Sequence, residues 1–193
     1  MTEAAIPFYI DLKSPYSYLA AHRALLLEEA GEATFDWRPF TLDIAGRANV
    51  NREAFLRRAR YLYRDVRRFA APLGLTIKGP TRIYDSELAS IGLLFAKRSN
   101  FHKDYVSNAY RSFFDRSLEL DDADAITSLI GGCGGDTATF HTFAESEGRD
   151  ALAASRAHAE TLGVFAVPTF IIGEELYWGQ DRMDMAMTAA GVF

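Results

Sequence analysis

The sequence predicts an α/β protein in which strands from the two ends of the chain form one sheet. Three observations support this class. Residues 6–40 have the pattern of a strand, a helix and a second strand, and residues 164–193 have the pattern of two strands and a helix. The long segment between them shows helical periodicity and little strand signal, so we expect a block of helices there.

The first elements follow from residue types with strong local preferences. The run "IPFYIDL" at 6–12 is apolar and rich in β-forming residues, which is typical of a buried strand. A helix is predicted directly after it because Ser14 is a preferred N-cap and Pro15 suits the first helical position. This helix should stop at Gly31. The alternating run "TFDWRPF" at 34–40 predicts the second strand, which completes a β-α-β unit.

The middle of the chain is predicted to be helical. Residues 41–50 have the composition of a loop. An arginine-rich helix should follow at 51–74 and end before Pro72 or at Gly74, since proline and glycine both interrupt helices. Further helices are expected at about 85–99, 101–117, 121–135, 136–148 and 149–163.

The end of the chain returns to strand patterns. "VPTFIIG" at 167–173 is β-branched and aromatic, and "EELYWG" at 174–179 is its expected hairpin partner, followed by an amphipathic helix. Neither terminal pair of strands is stable alone, so both pairs should share one sheet. This is the plan of a thioredoxin fold. The predicted division is a thioredoxin-like domain at 1–45 and 164–193, with a helical insertion domain at 46–163.

The composition excludes several classes of protein. The net charge of −5 gives no general reason to expect nucleic-acid binding. The sequence shows no secretory signal and no apolar run long enough to span a membrane. One cysteine, Cys133, cannot form an intrachain disulfide and fits a reducing cytoplasm. The four histidines are scattered without ligand spacing, so no metal site is expected.

The motif "SPYS" at Ser14–Ser17 has the spacing of a thiol redox loop, C-x-x-C, with serines in place of both cysteines. The simplest interpretation is that Ser14 is only the N-cap of the predicted helix. The functional interpretation starts from the helix N-terminus, which favours negative charge and stabilises thiolates. A serine hydroxyl there can donate a hydrogen bond to the thiolate of another molecule.

Two more motifs lie near the end of the chain. The Val167–Pro168 bond is either an ordinary trans bond at a strand start or a cis bond facing the redox loop, as in thioredoxin folds. In the cis case Val167 offers its backbone to a bound peptide, as an added strand would. Gln180 and Asp181, which follow Gly179, either cap a surface helix or bind the charged end of a ligand.

Taken together, "FYIDLKSPYSYLA", "VFAVPTFIIGEELYWGQDRM" and the helical insert resemble the 2-hydroxychromene-2-carboxylate isomerases. These belong with the kappa-class glutathione transferases in the DsbA-like group. The resemblance implies glutathione as cofactor and a homodimer. It implies that Ser14 contacts the glutathione sulfur and that Val167, before a cis Pro168, pairs with the cysteinyl backbone. It also implies that Gln180 and Asp181 hold the γ-glutamyl end.

The helical part departs from the family pattern. Asn49 is the expected family asparagine, although Asn51 competes for the role, and Arg58 takes the position of a family lysine with Tyr61 three residues later. Arginine can hold a substrate carboxylate in a bidentate manner, while the alternative is a solvated basic face. Three aromatic residues are candidates for the substrate pocket, although each also suits a core position: Tyr61, Tyr84 and Trp178.

The resemblance therefore implies a glutathione-dependent isomerase acting on a small aromatic carboxylate in aromatic catabolism. One alternative keeps the glutathione site but performs conjugation or peroxide reduction, as kappa-class transferases do. A second alternative is a non-catalytic thioredoxin-like module that binds peptides at its cis-proline edge. The Gln180–Asp181 pair favours the enzymes, because a general peptide binder needs no γ-glutamyl pocket.

Overall fold

A computed structural model describes residues 5–46 and 51–193, and in them strands from both ends of the chain share one sheet, as predicted. The strands are β1 (Ile6–Ile10), β2 (Phe35–Pro39), β3 (Thr169–Ile172) and β4 (Glu175–Trp178). Their order is β2-β1-β3-β4. β1 runs parallel to β2 and antiparallel to β3, and β3 and β4 form an antiparallel hairpin. This is the thioredoxin-like sheet that the sequence predicts.

Helices occupy the predicted segments. They are α1 (Pro15–Glu29), α2 (Arg52–Ala70), α3 (Glu87–Arg98), α4 (His102–Asp115), α5 (Ala123–Gly132), α6 (Thr137–Glu145), α7 (Glu147–Thr161) and α8 (Met183–Ala189). Two short 3₁₀ turns adjoin them, at Ala71–Leu73 and Gln180–Arg182. The predicted helix at 51–74 is thus divided, because Pro72 cannot continue the α-helical hydrogen bonds and Gly74 ends the segment in a left-handed conformation.

Four of these helices have an N-terminus that is capped by the side chain of the preceding residue. Ser14, Asn51, Asp122 and Asp136 each accept a hydrogen bond from the backbone N–H three residues later, at the starts of α1, α2, α5 and α6. Such caps satisfy an N–H that the helix itself leaves free. Four helix starts are therefore fixed by local sequence.

The core joins the sheet to the helices. Phe8 stacks on Phe170 at 4.4 Å and contacts Trp37 at 5.0 Å, which ties β1 to both of its neighbours. The same buried cluster continues into α4 through Tyr105 and Phe114. This cluster includes residues of both predicted domains, so one continuous core joins them. The domain boundaries near 46 and 163 stay a prediction. Among the described residues, no helix is both long and apolar enough to cross a membrane.

Candidate active site

Ser14 is the buried N-cap of α1, and its cap leaves a donor free. Its Oγ accepts the N–H of Ser17 at 3.2 Å. Pro15 has no N–H, and the N–H of Tyr16 has no partner among the described residues. The cap uses a lone pair of Ser14, so the hydroxyl hydrogen and the Tyr16 N–H can both bind an anion. The two interpretations of Ser14, helix cap and thiolate donor, are therefore compatible.

The Val167–Pro168 peptide bond is cis, as the functional interpretation of that motif predicts. Val167 is buried, and within residues 5–46 and 51–193 neither its N–H nor its C=O has a hydrogen-bond partner. The Pro168 C=O accepts the Gly179 N–H at 2.9 Å, which ties the start of β3 to the turn that follows β4. A free N–H and C=O on one residue can pair with an extended peptide.

The turn at Gln180–Arg182 contacts α1 and requires glycine before it. Gly179 has a φ of 113°, and a Cβ at this position would lie 2.5 Å from Asp181 Oδ1. Gln180 is nine-tenths buried, yet its side-chain amide has no hydrogen-bond partner in the described part of the chain. Asp181 is exposed and pairs with Arg182 at 3.1 Å. This turn therefore offers an amide and a carboxylate to a ligand.

Tyr16 connects the SPYS loop to α2. Its Oη donates to Asp65 Oδ2 at 2.7 Å. Burial, followed by the bond to Asp65, raises the pKa of Tyr16 well above its usual range, and the nearby Tyr61 and Asp181 raise it further. The phenol is therefore protonated at neutral pH. This contact fixes the face of α2 that carries Asp65 against the candidate site.

Arg58 and Tyr61 lie on that same face of α2. Arg58 precedes Asp65 by seven residues, or about 10 Å along the helix, so the two side chains project in the same direction. Arg58 is exposed, and Tyr61 is 63% exposed. Trp178 on β4 is 52% exposed and meets Phe165 edge-on at 5.0 Å. The core interpretation is therefore wrong for Tyr61 and Trp178.

The two candidate asparagines differ in what the structure says of them. Asn51 caps α2, and its Oδ1 accepts the Ala54 N–H at 3.0 Å. Asn49 lies outside the described residues, so its assignment as the family asparagine stays a prediction.

A cleft of about 710 Å³ begins one residue before the SPYS loop, although Ser14 itself does not line it. Lys13, which directly precedes Ser14, borders it, and so do Tyr84 and Phe165. Tyr84 was among the aromatic candidates, whereas Arg58, Tyr61 and Trp178 do not line this cleft. The remaining lining residues are 40–45, Ile83, Asp85, Glu87, Asp121, Arg156 and Glu160. Lys13 and Phe165 were not among the predicted site residues, although both lie inside the motifs "DLKSPYS" and "VFAVPTF".

A buried polar cluster forms one end of the cleft. Asp11 Oδ1 accepts the Lys13 N–H at 3.1 Å and the Ser86 hydroxyl at 2.7 Å, and Oδ2 accepts the Leu42 N–H at 2.7 Å. The Lys13 ammonium lies 3.4 Å from Asp11 Oδ2. Asp11 thereby joins β1 to the loop after β2 and to the start of α3. A charged residue at the end of an otherwise apolar strand was the sequence signal for this cluster.

The remaining candidates for chemistry are poorly placed. Cys133 caps the C-terminus of α5, where it accepts a hydrogen bond from Asn108, and burial raises the pKa of its thiol. Burial outweighs the hydrogen bond from Asn108, which by itself lowers the pKa, and the C-terminal end of a helix also disfavours a thiolate. Within the described ranges, no group of three His, Cys, Asp or Glu side chains is arranged to hold a metal ion.

The fold and this site define a thioredoxin-like protein whose redox loop carries serines instead of cysteines. The family model for the DsbA-like thioredoxin domain matches residues 5–190, and the chain belongs to that family.

Among curated proteins, the chain is 27% identical to 2-hydroxychromene-2-carboxylate isomerase of Pseudomonas sp. strain C18, over 96% of this chain and 90% of that protein. It is 26% identical to the isomerase of the same name from Pseudomonas putida, over 96% and 94%. A solved structure of 2-hydroxychromene-2-carboxylate isomerase superposes with a TM-score of 0.79 at 25% identity, over 97% of this chain and 94% of that one. The relatives therefore match the chain along nearly its whole length.

Proposed function

We propose that the protein is a glutathione-dependent cis–trans isomerase acting on a small aromatic carboxylate such as 2-hydroxychromene-2-carboxylate. The observation that carries the proposal is the pair of free donors at the start of α1, the Ser14 hydroxyl and the Tyr16 N–H. They suit a thiolate, and Cys133 lies outside the site, so the sulfur must come from another molecule. The full-length similarity to isomerases supports this activity.

The unpaired groups around Ser14 fit the parts of glutathione. Val167 has a free N–H and C=O for the cysteinyl backbone. The buried amide of Gln180 and the carboxylate of Asp181 suit the carboxylate and ammonium of the γ-glutamyl end. Pro168 connects these two contacts through its bond from Gly179. Asn49 is the family candidate for a further contact.

Bound glutathione supplies a thiolate that adds reversibly to a carbon–carbon double bond conjugated with a carbonyl group. The Ser14 hydroxyl and the Tyr16 N–H stabilise the sulfur as an anion. The cleft holds the aromatic part of the substrate against Tyr84 and Phe165, and Trp178 supports Phe165 from outside. Arg58, with Tyr61 beside it, is our candidate for the substrate carboxylate; because neither residue lines the cleft, this contact requires the carboxylate to project out of the cleft toward α2. Fixing both reactants in one geometry lowers the barrier.

Ligand binding gives the first test. Glutathione at millimolar concentration should raise the thermal midpoint of unfolding, and S-methylglutathione, which keeps the peptide but lacks the thiol, should do so too. Only glutathione should then support conversion of 2-hydroxychromene-2-carboxylate. If neither peptide binds, both glutathione enzymes are excluded and the non-catalytic module is favoured.

A second assay separates isomerase from transferase. Robust conjugation of an electrophilic aryl halide, without any isomerisation of the chromene carboxylate, would favour a kappa-class-like transferase. We also propose a cytoplasmic homodimer, on the strength of the family resemblance. Light scattering after size-exclusion chromatography tests the assembly, since a monomer at working concentration would contradict it.

A further inference from the structure

Lys13 is a buried cation whose ammonium group has an N–H without a partner among the described residues. Its side chain is 8% exposed, yet it borders the cleft. An ammonium group has three N–H donors. The Lys13 Nζ donates to Ser86 Oγ at 3.0 Å and lies 3.4 Å from Asp11 Oδ2, and the described residues provide no third partner. At least one N–H is therefore left for a molecule in the cleft.

Asp11 fixes the ammonium without using all of its donors. The Asp11 carboxylate is fully buried and already accepts hydrogen bonds from two backbone N–H groups and from Ser86. Its ion pair with Lys13, at 3.4 Å, is longer than an ordinary charged hydrogen bond. This arrangement holds the Lys13 side chain in one position and leaves the ammonium able to bind a further oxygen.

The other charges of the cleft restrict what that oxygen can be. The second cation in the lining, Arg156, already donates to Thr41 at 2.7 Å and to Glu87 at 3.1 Å. The lining also carries several acidic side chains: Asp43, Asp85, Glu87, Asp121 and Glu160. Among the described lining residues, Lys13 is thus the cation with an N–H left, and the carboxylates restrict a negatively charged oxygen to the place beside it. A neutral carbonyl oxygen that gains charge only during the reaction suits a cleft with one available ammonium N–H.

We infer that Lys13 is a catalytic residue that donates a hydrogen bond to the substrate oxygen on which negative charge develops. The inference rests on the proposed function. As the carbon–sulfur bond forms, the conjugated double bond becomes single and its electron pair moves to the carbonyl oxygen. Rotation follows, the electron pair returns, and the carbon–sulfur bond breaks, so composition and oxidation state are unchanged. An ammonium N–H that is already positioned at that oxygen stabilises the negative charge as it develops.

Binding of 4-nitrophenol tests this role without glutathione, because its phenolate form carries charge on one oxygen and absorbs visible light. Wild type should bind the phenolate at least tenfold more tightly than the neutral phenol. The Asp11→Asn/Lys13→Met double variant, which leaves no unpaired buried charge, should lose this preference. Asp11→Asn alone keeps Lys13 and should keep the preference, and Arg156→Gln should stay within twofold of wild type.

Two results would overturn the inference. One is a double variant that still prefers the phenolate, and the other is an Arg156→Gln variant that loses the preference as fully as the double variant does. Turnover gives a second readout. The double variant should lose about 10²-fold in kcat relative to Asp11→Asn, as when one oxyanion donor is removed, while its affinity for glutathione is unchanged. Lys13→Arg keeps a cation with N–H donors, so its kcat should lie above that of the double variant. A double variant with the kcat of Asp11→Asn would also contradict the role. If wild type bound no glutathione, the proposed function itself would fail. The phenolate measurement needs no glutathione, so it tests the role of Lys13 separately from the proposed function.

Discussion

Two regions of the molecule carry positive charge in different environments, the buried cluster at Lys13 and the exposed face of α2 at Arg58. In the first, Lys13 is buried and held by Asp11 and Ser86. In the second, Arg58 is exposed on the surface of α2, within an arginine-rich helix. Water and salt weaken the field of an exposed cation, whereas a buried cation acts on its neighbours with little screening. The buried region is therefore suited to chemistry, and the exposed face to the recognition of an anionic end.

Breaking the buried ion pair should have the largest effect on stability. Asp11→Ala leaves Lys13 buried without its partner and frees the Leu42 N–H and the Ser86 hydroxyl. We expect a loss of about 3–5 kcal/mol in the free energy of unfolding. Urea denaturation measures it. The Asp11→Asn/Lys13→Met variant should regain much of this loss, and an equally unstable double variant would contradict an electrostatic origin.

Ser14→Ala should have the next largest effect, and it acts on turnover. The variant loses the donor to the thiolate, so kcat should fall about 10²-fold and the pKa of bound glutathione should rise. Thiolate absorbance in the ultraviolet measures this pKa. Ser17→Ala is the matched control, because Ser17 is the last residue of the same motif and its buried Oγ has no hydrogen-bond partner in the described residues. Equal kcat for Ser14→Ala and wild type would reduce Ser14 to a helix cap.

The contact between the two regions should contribute less. Tyr16→Phe removes the hydrogen bond to Asp65 and should cost about 1 kcal/mol at neutral pH. The pKa of Tyr16 is raised in the folded state, so its contribution is complete below about pH 10, the ordinary pKa, and is lost as pH rises beyond it. Unfolding curves of wild type and Tyr16→Phe should therefore converge in alkali. A constant difference across that range would show that the phenol titrates normally.

Arg58→Ala should have the smallest effect. An exposed cation contributes little to binding, so we expect KM for the chromene carboxylate to rise about threefold with kcat unchanged. Arg60→Ala is the control, since Arg60 is also exposed but projects from another side of α2. The difference between the two variants should shrink at high salt. Identical KM values would move the carboxylate contact away from this face.

The sequence predicted the fold well because its signals are local. Ser14, Pro15 and Gly74 determine helix ends through their own backbone preferences, and the apolar runs at both termini have few alternatives to a shared sheet. The cleft was not predictable in the same way. Lys13 meets Ser86 across 73 residues, and Tyr16 meets Asp65 across 49. Contacts of this kind depend on how α1, α2 and α3 pack, which no local pattern encodes.

The β3–β4 hairpin has a consequence for thiol selectivity. Its pairing of Thr169 with Trp178 places Val167 just before β3 and Gln180 just after β4 at the same end of the hairpin, which the hydrogen bond from Gly179 to Pro168 holds together. Under the proposed function, one hairpin thus carries both the contact for the middle of glutathione and the contact for its γ-glutamyl end. Free cysteine lacks a γ-glutamyl end, so under the proposed function it can make the contact at Val167 but not the one at Gln180, and the hairpin would select among thiols by their length.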